Sequence, residues 1–283
     1  MCGIVGGVGA SAPSALLLDA QLKSIEHRGP DDTGTYLNQG ISLGMCRLAI
    51  VEIAAGKQPA SDASKKINIV WNGEIYNYRE LRQQLSDKGY VFNTHGDTET
   101  ILNAWLEWGE DCVHHLRGMF AFAIWDNSRQ CLFLARDRLG IKPLFYSLLD
   151  NGQFIFGSEL KVLRNHPDFV TTLRDTTIED YFSFGYVPEP YTIYQHSFKL
   201  APGHCMLLQH GQAHLSEPKQ YWDVPTDWTK NLTEQEQEYN KKRAEQQKQA
   251  AQRQAELVAK VGQVFSNTLC DYGASLRDLK EQE

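Results

Sequence analysis

Hydrophobic period divides the chain into short runs of strand character and a few helical segments. Residues 3–8 are small or β-branched and predict a strand. Leu16, Leu17, Ala20 and Ile25 fall on one face of a helix spanning residues 14–26. A loop of charges and turn formers at 26–32 leads into strand-like runs at 35–37 and 41–51. The run 67–71 predicts another strand, ending at the turn pair Asn72-Gly73. Helical spacing returns at 78–88 and 98–108, with Asp97 placed to cap the second segment. Short strands follow at 120–125, 131–135, 144–147 and 154–156, separated by Asp-Asn-Ser, Asp-Arg-Leu-Gly and Asp-Asn-Gly turns. Residues 186–190 and 200–203 break the pattern before a last strand at 204–208. Helices mixed with many strands predict an α+β fold, with helices packed outside stacked sheets.

Beyond about residue 226 the texture changes. Residues 229–260 are dense in Gln, Glu and Lys and predict one long solvated helix. No sustained a/d heptad runs through it, so a polar linker or lid helix is the better reading than a coiled coil. Apolar residues return from Leu257 onward (Val258, Val261, Val264, Phe265), enough for a helix that docks somewhere. The boundaries that emerge are a domain at 1–222 and a helical tail at 223–283. No internal repeat is found.

Composition narrows the picture. The chain has 283 residues, 42% hydrophobic and 11% aromatic, which supplies a buried core and excludes a chain disordered throughout. A net charge of −7 argues against a dedicated nucleic-acid binder, which presents a basic face to phosphates. No stretch approaches the ~18 consecutive apolar residues of a membrane span. The N-terminus lacks the basic and apolar regions of a secretory signal, and position 2 is not the glycine that myristoylation needs. Six scattered cysteines with no Cys-x-x-Cys pair fit free thiols, and the expectation is a cytoplasmic protein.

Cys2 is the most informative residue. Removal of Met1 before a small residue would place thiol and α-amine on one residue. An α-amine titrates at about 7.7–8.0, so at neutral pH a useful fraction can take the thiol proton. Nucleophile and base then need no histidine. A cysteine at position 2 arises by chance often enough that its surroundings decide its meaning.

Those surroundings are ordered blocks. Cys2-Gly3-Ile4-Val5-Gly6 is followed by His27-Arg28-Gly29-Pro30-Asp31-Asp32, then by Asn72-Gly73-Glu74-Ile75-Tyr76-Asn77-Tyr78 and Gly96-Asp97-Thr98-Glu99. The blocks starting at Gly118-Met119-Phe120 and Ala135-Arg136-Asp137-Arg138 come next, the second running on to Lys142, and Phe156-Gly157-Ser158-Glu159 closes the series. Together they resemble the glutamine-hydrolysing domain of asparagine synthetases, a class II glutamine amidotransferase with an N-terminal nucleophile, from Cys2 to about Trp222. The resemblance implies a four-layer αββα sandwich of the N-terminal nucleophile hydrolase type. It implies hydrolysis of L-glutamine to glutamate and ammonia through a γ-glutamyl thioester on Cys2, supplying ammonia for amide synthesis.

By the same resemblance, the Asn72 side chain and the Gly73 N–H are the oxyanion donors, and Arg47 takes the substrate α-carboxylate. Leu48, Ile50 and Val51 line the pocket, while Glu74 and Asp97 take the α-ammonium. Bidentate carboxylate recognition suits a guanidinium, and glycine suits a close backbone approach. One departure adjoins the site: Cys46 stands where the family usually has a basic residue. In the family a synthetase domain with a Ser-Gly-Gly-x-Asp-Ser loop uses ATP and Mg²⁺. Neither that loop nor a P-loop occurs here, so no cofactor is assigned to this chain. The implied partner is a separate ATP-dependent synthetase subunit, and a homodimer stays open.

Other readings compete. Gly7-Val8-Gly9-Ala10-Ser11-Ala12 matches a dinucleotide-binding fingerprint, with Asp31 and Asp32 at roughly the right distance. A non-catalytic remnant that binds glutamine or a partner is the other rival. Cys112-Val113-His114-His115 lacks a second ligand pair and reads as helix surface or core rather than metal site. Arg136-Asp137-Arg138 with Lys142 reads as a structural ion-pair network rather than a phosphate site.

Overall fold

The computed structural model describes residues 2–9, 14–49, 56–211 and 217–224, together with Lys241, Glu245, Lys248, Gln249, Gln252, Arg253, Glu256 and Lys260. The chain divides into two compact units, Met1–Asp223 and Val224–Glu283. In the second unit, the positions described from Lys241 onward are helical and exposed, within the span where a solvated helix is expected. The rest of that span and the apolar residues from Leu257 to Phe265 lie outside the described residues.

Among the described residues, the first unit holds two six-stranded antiparallel sheets. Sheet A runs β10 (Ser197–Lys199), β8 (Phe145–Leu148), β9 (Phe154–Gly157), β1 (Gly3–Val8), β3 (Ile41–Arg47), β2 (Asp32–Asn38). Sheet B runs β12 (Lys219–Gln220), β11 (His204–Gln209), β7 (Cys131–Arg136), β6 (Gly118–Asp126), β5 (Ile67–Ile75), β4 (Ala60–Ser61).

The strand period of two sorts their side chains into layers. Ile4, Leu43 and Met45 of sheet A meet Val70, Ala121, Ala123, Leu132 and Leu134 of sheet B in a core between the sheets. Val5, the neighbour of Ile4, points the other way, toward Leu18, Leu22 and Val162 of helices α1 (Ala15–Ser24) and α5 (Leu160–Arg164). On the far side, Ile69, Phe120, Phe122 and Phe133 of sheet B pack on α2 (Tyr78–Asp87), α3 (Asp97–Trp108) and α4 (Cys112–His115). Helix, sheet, sheet, helix is the expected four-layer α+β sandwich. Burial on both faces explains why β1, β3, β6 and β7 are apolar almost throughout rather than alternating. Among the described residues no helix is long and apolar enough to cross a membrane.

Local chemistry sets several boundaries. Ser14 caps α1 through Oγ, which accepts from the Leu17 N–H at 3.3 Å. The helix ends at Ser24, short of the expected 26, and Glu26–Arg28 form a 3₁₀ turn. Asp97 is not the cap of α3: Gly96 holds that position and the Asp97 carboxylate is used elsewhere. Glu99 staples the approach to the same helix, accepting from the backbone N–H groups of Asn93 and Thr94 and from Thr94 Oγ1. Asn72-Gly73 is not a turn but the interior of β5, which continues to Ile75 because it pairs with β6 throughout. The strand expected at 41–51 ends at Arg47. Helices α4, α5 and α6 (Asp175–Phe184) and strands β4, β10 and β12 were not legible beforehand, most of them being shorter than the periods that reveal them.

Two expectations are corrected here, one a rival reading and one the preferred reading of its cluster. A dinucleotide fold needs a parallel strand and crossover, whereas β1 lies between β3 and β9 and is antiparallel to both. The Arg136-Asp137 pair works chiefly on the backbone rather than as ion pairs. Asp137, fully buried, accepts from the N–H groups of Phe120, Leu139, Ile141 and Lys142. Arg136 donates to the carbonyls of Gly140, Lys142 and Leu200 and pairs with Glu189.

Asp137→Ala is expected to destabilise the fold by about 3 kcal/mol, because four backbone N–H groups, two of them buried, lose their acceptor; urea denaturation measures it. Burial acts to raise the Glu99 pKa, but the hydrogen bonds from Asn93 and Thr94 outweigh it and hold the pKa below its ordinary value of 4.5. Its stabilisation is therefore present at neutral pH and lost as pH falls through that lowered value. Glu99→Gln should lower the melting temperature at pH 7, and the gap to the parent should narrow toward pH 3.

Candidate active site

The ends of three strands and one helix converge on a single cavity. In the β1–β3 register Gly3 faces Cys46, so the start of β1 lies beside the end of β3 and brings Cys2 next to Arg47 and Leu48. The second half of β5, from the facing sheet, contributes Trp71, Asn72, Gly73 and Glu74. The first turn of α3 contributes Asp97 and Thr98. All of these residues line one cavity of about 490 Å³, within the ~300–1,000 Å³ of small-molecule sites.

Cys2 is half-buried, and its Sγ lies 3.4 Å from the Leu48 N and 3.7 Å from the Leu48 O. The Cys2 carbonyl accepts from Arg28 Nε at 3.1 Å. Arg47 and Asn72 are buried in the cavity wall, 7% and 2% exposed, and among the described residues Asn72 Nδ2 has no hydrogen-bond partner. A buried donor left unsatisfied is costly, and a ligand oxygen would relieve it.

The edge of β5 carries a row of N–H groups. The Trp71 N–H donates to Gln58 Oε1 at 2.7 Å and the Ile75 N–H to Asp97 Oδ2 at 3.1 Å. Gly73 lies between them. Phe120, opposite Gly73, directs both backbone groups toward Asp137, so Gly73 and Phe120 form a pair that exchanges no ladder bonds. The Gly73 N–H therefore faces the same edge as those of Trp71 and Ile75. A side chain at position 73 is excluded, since a Cβ there would come within 2.1 Å of the Met119 carbonyl.

Of the residues singled out from sequence, the cavity unites Cys2, Arg47, Leu48, Asn72, Gly73, Glu74 and Asp97. Ile50 and Val51 lie outside the described residues. Sequence reasoning missed Gln58, Met45 and Met119 as lining residues, and missed Lys142, buried at 5% exposure, as a cavity wall. It also missed the contact of Arg28 with Cys2, although Arg28 belongs to a block quoted for the resemblance. His114 and His115 are remote from this cluster: His115 stacks on Trp108 at 3.8 Å and His114 meets the edge of Tyr221.

A family model described as a glutamine amidotransferase domain matches residues 1–222. Asparagine synthetase [glutamine-hydrolyzing] 3 of Bacillus subtilis is 36% identical over 233 residues, covering 80% of this chain and 37% of that protein. Asparagine synthetase [glutamine-hydrolyzing] 1 of the same organism is 40% identical over 208 residues, covering 72% and 33%. Among solved structures, the glutamine phosphoribosylpyrophosphate amidotransferase of B. subtilis superposes with a TM-score of 0.55 at 17% identity, over 79% of this chain and 50% of that one. The chain belongs to the glutamine amidotransferase domain family, class II, and is related to the N-terminal domain of asparagine synthetases. It spans about a third of the length of these two curated relatives.

Thiol exposure gives a direct check. Burial pushes the thiols of Cys46 and Cys112 up, and those of Cys131 and Cys205 up to about 11. Iodoacetamide under native conditions should modify Cys2 well before these four, as followed by peptide mass spectrometry. Labelling of Cys46 or Cys205 at the Cys2 rate would contradict the described packing.

Proposed function

We propose that residues 1–222 form a glutaminase domain that hydrolyses L-glutamine to glutamate and ammonia, with Cys2 as nucleophile. The observation that carries this reading is the gathering of Cys2, Arg47, Asn72, Gly73 and Asp97 around one cavity. With Met1 removed, the Cys2 α-amine takes the thiol proton, and the thiolate attacks the side-chain amide carbon of glutamine. The oxyanion that forms is held by Asn72 Nδ2, the buried donor lacking a partner, and by the Gly73 N–H. Collapse of the intermediate expels ammonia, which takes the proton held on the α-ammonium, and leaves a γ-glutamyl thioester. Water, giving a proton back to the amine, then cleaves the thioester, releasing glutamate and restoring the thiol.

Arg47 binds the substrate α-carboxylate, with Leu48, Ile50 and Val51 beside it, and Asp97 with Glu74 binds the α-ammonium. One Asp97 oxygen accepts from the Ile75 N–H, which holds the carboxylate at the cavity wall. The chemistry asks for no cofactor in this chain. The ammonia serves an amide synthesis of the asparagine synthetase type, with the ATP- and Mg²⁺-dependent half on a separate subunit.

Purified protein lacking Met1 should release glutamate from glutamine under reducing conditions. Cys2→Ala should abolish this, and Arg47→Ala should raise KM by about tenfold or more, since a charge-assisted bidentate contact is lost. A parent protein as silent as Cys2→Ala would leave the non-catalytic, glutamine-binding reading in its place.

A further inference from the structure

Glu159 occupies the position before α5, where an acidic side chain ordinarily caps the helix. Its backbone is extended, at φ −139° and ψ 145°, but its carboxylate makes no capping bond. The carboxylate turns instead to side-chain nitrogens from two segments. Oε1 lies 3.0 Å from Arg28 Nη1 and 2.9 Å from His27 Nε2, and Oε2 lies 2.9 Å from Lys161 Nζ. Arg28, with only 10% of its side chain exposed, uses its Nε to donate to the Cys2 carbonyl at 3.1 Å. Among the described residues, Glu159 is the one carboxylate paired with Arg28.

The adjoining residue grips the same strand. Ser158 Oγ accepts from the Ile4 N–H, and the Ser158 N–H donates to the Ile4 carbonyl, each at 2.9 Å. Cys2 itself lies outside the β1 ladder, which begins at Gly3. Chain ends fray unless tied down, and the backbone of Cys2 is tied by Arg28 on one side and by the strand on the other. A long arginine side chain carries rotamer freedom that must be removed before it can hold anything still. The Glu159 carboxylate removes it.

We propose that Glu159 is a positioning residue for the nucleophile, acting through Arg28 to fix the Cys2 carbonyl and so the orientation of the thiol in the cavity. The proposal rests on the reading of Cys2 as the reactive thiol. A surface ion pair would contribute little, but here Arg28 is mostly buried, Glu159 partly so, and the far end of the relay is the reactive residue. Rates fall steeply when reacting atoms are displaced: a misplacement of about 1 Å can cost about a hundredfold.

The test compares the full chain, lacking Met1, with Glu159→Ala and Glu159→Gln. Glutamate release gives kcat and KM, iodoacetamide modification of the N-terminal peptide gives Cys2 reactivity, and a melting temperature is taken for each protein. Glu159→Ala is expected to lower kcat about tenfold or more with KM within about threefold, and to change the Cys2 alkylation rate at least about threefold. Glu159→Gln, which keeps an oxygen for Arg28, should recover most of both. A lowered melting temperature with kcat and alkylation unchanged, or a change in KM alone, overturns the proposal. If Glu159→Ala does not fold, Glu159→Ser, which can cap α5 but is too short to reach Arg28, decides: a reduced kcat with altered alkylation supports the proposal, and parent values for both overturn it. Should the parent itself release no glutamate, the glutaminase reading fails, and the alkylation comparison still decides the role of Glu159.

Discussion

Ile4, Leu43 and Met45 meet Val70, Ala121, Ala123 and Leu134 in the layer between the sheets, and this contact governs where everything else lies. Both sheets are also covered on their outer faces, so each central strand must serve two cores at once. Stacked sheets of this kind keep about 10 Å between them. The start of β1, the end of β3 and the end of β5 thus come together across that gap, and a cavity forms where the apolar filling gives way to Cys2, Arg47 and Asn72. The site is a place where the inter-sheet core is interrupted rather than a groove added to its surface.

Much of this was legible in the amino-acid order. Strands β1, β6, β7, β9 and β11 and helices α1, α2 and α3 follow directly from apolar runs and helical spacing. The cavity residues were legible only through the resemblance, because no periodicity links Cys2 to Asn72 or Asp97. Asn72-Gly73 misled local reasoning: the pair is the strongest short hairpin signal, yet here β6 pairs with β5 on both sides of it. Its glycine answers to the Met119 carbonyl and not to a turn. Asp97 misled in a similar way, since a residue suited to capping was drawn into bonding the β5 edge. In each case a partner distant in sequence overrode a local preference.

Two charged residues buried in the first unit share one logic. Asp137 and Arg136 satisfy backbone groups of the loop between β7 and β8, where neither helix nor ladder can, and reach beyond it to the Phe120 N–H and the Leu200 carbonyl. That loop carries Lys142 to the cavity wall. Tyr221 Oη donates to the Arg136 carbonyl at 2.7 Å, so the end of the first unit is bonded to the same junction. Charge is spent here on holding irregular backbone in a dry interior, which is the circumstance in which buried ions are worth their desolvation.

Strand alternation at β1 has a further meaning for the N-terminus. Cys2 packs toward the inter-sheet layer with Ile4, while Val5 faces the helices. One residue inserted between Cys2 and Gly3 would carry the thiol about 3.3 Å along the strand direction and turn it toward the opposite face. The sheet therefore measures the distance from chain start to cavity in whole residues, with no slack. Insertion of even a single amino acid between Cys2 and β1 is a change of side, not merely of length.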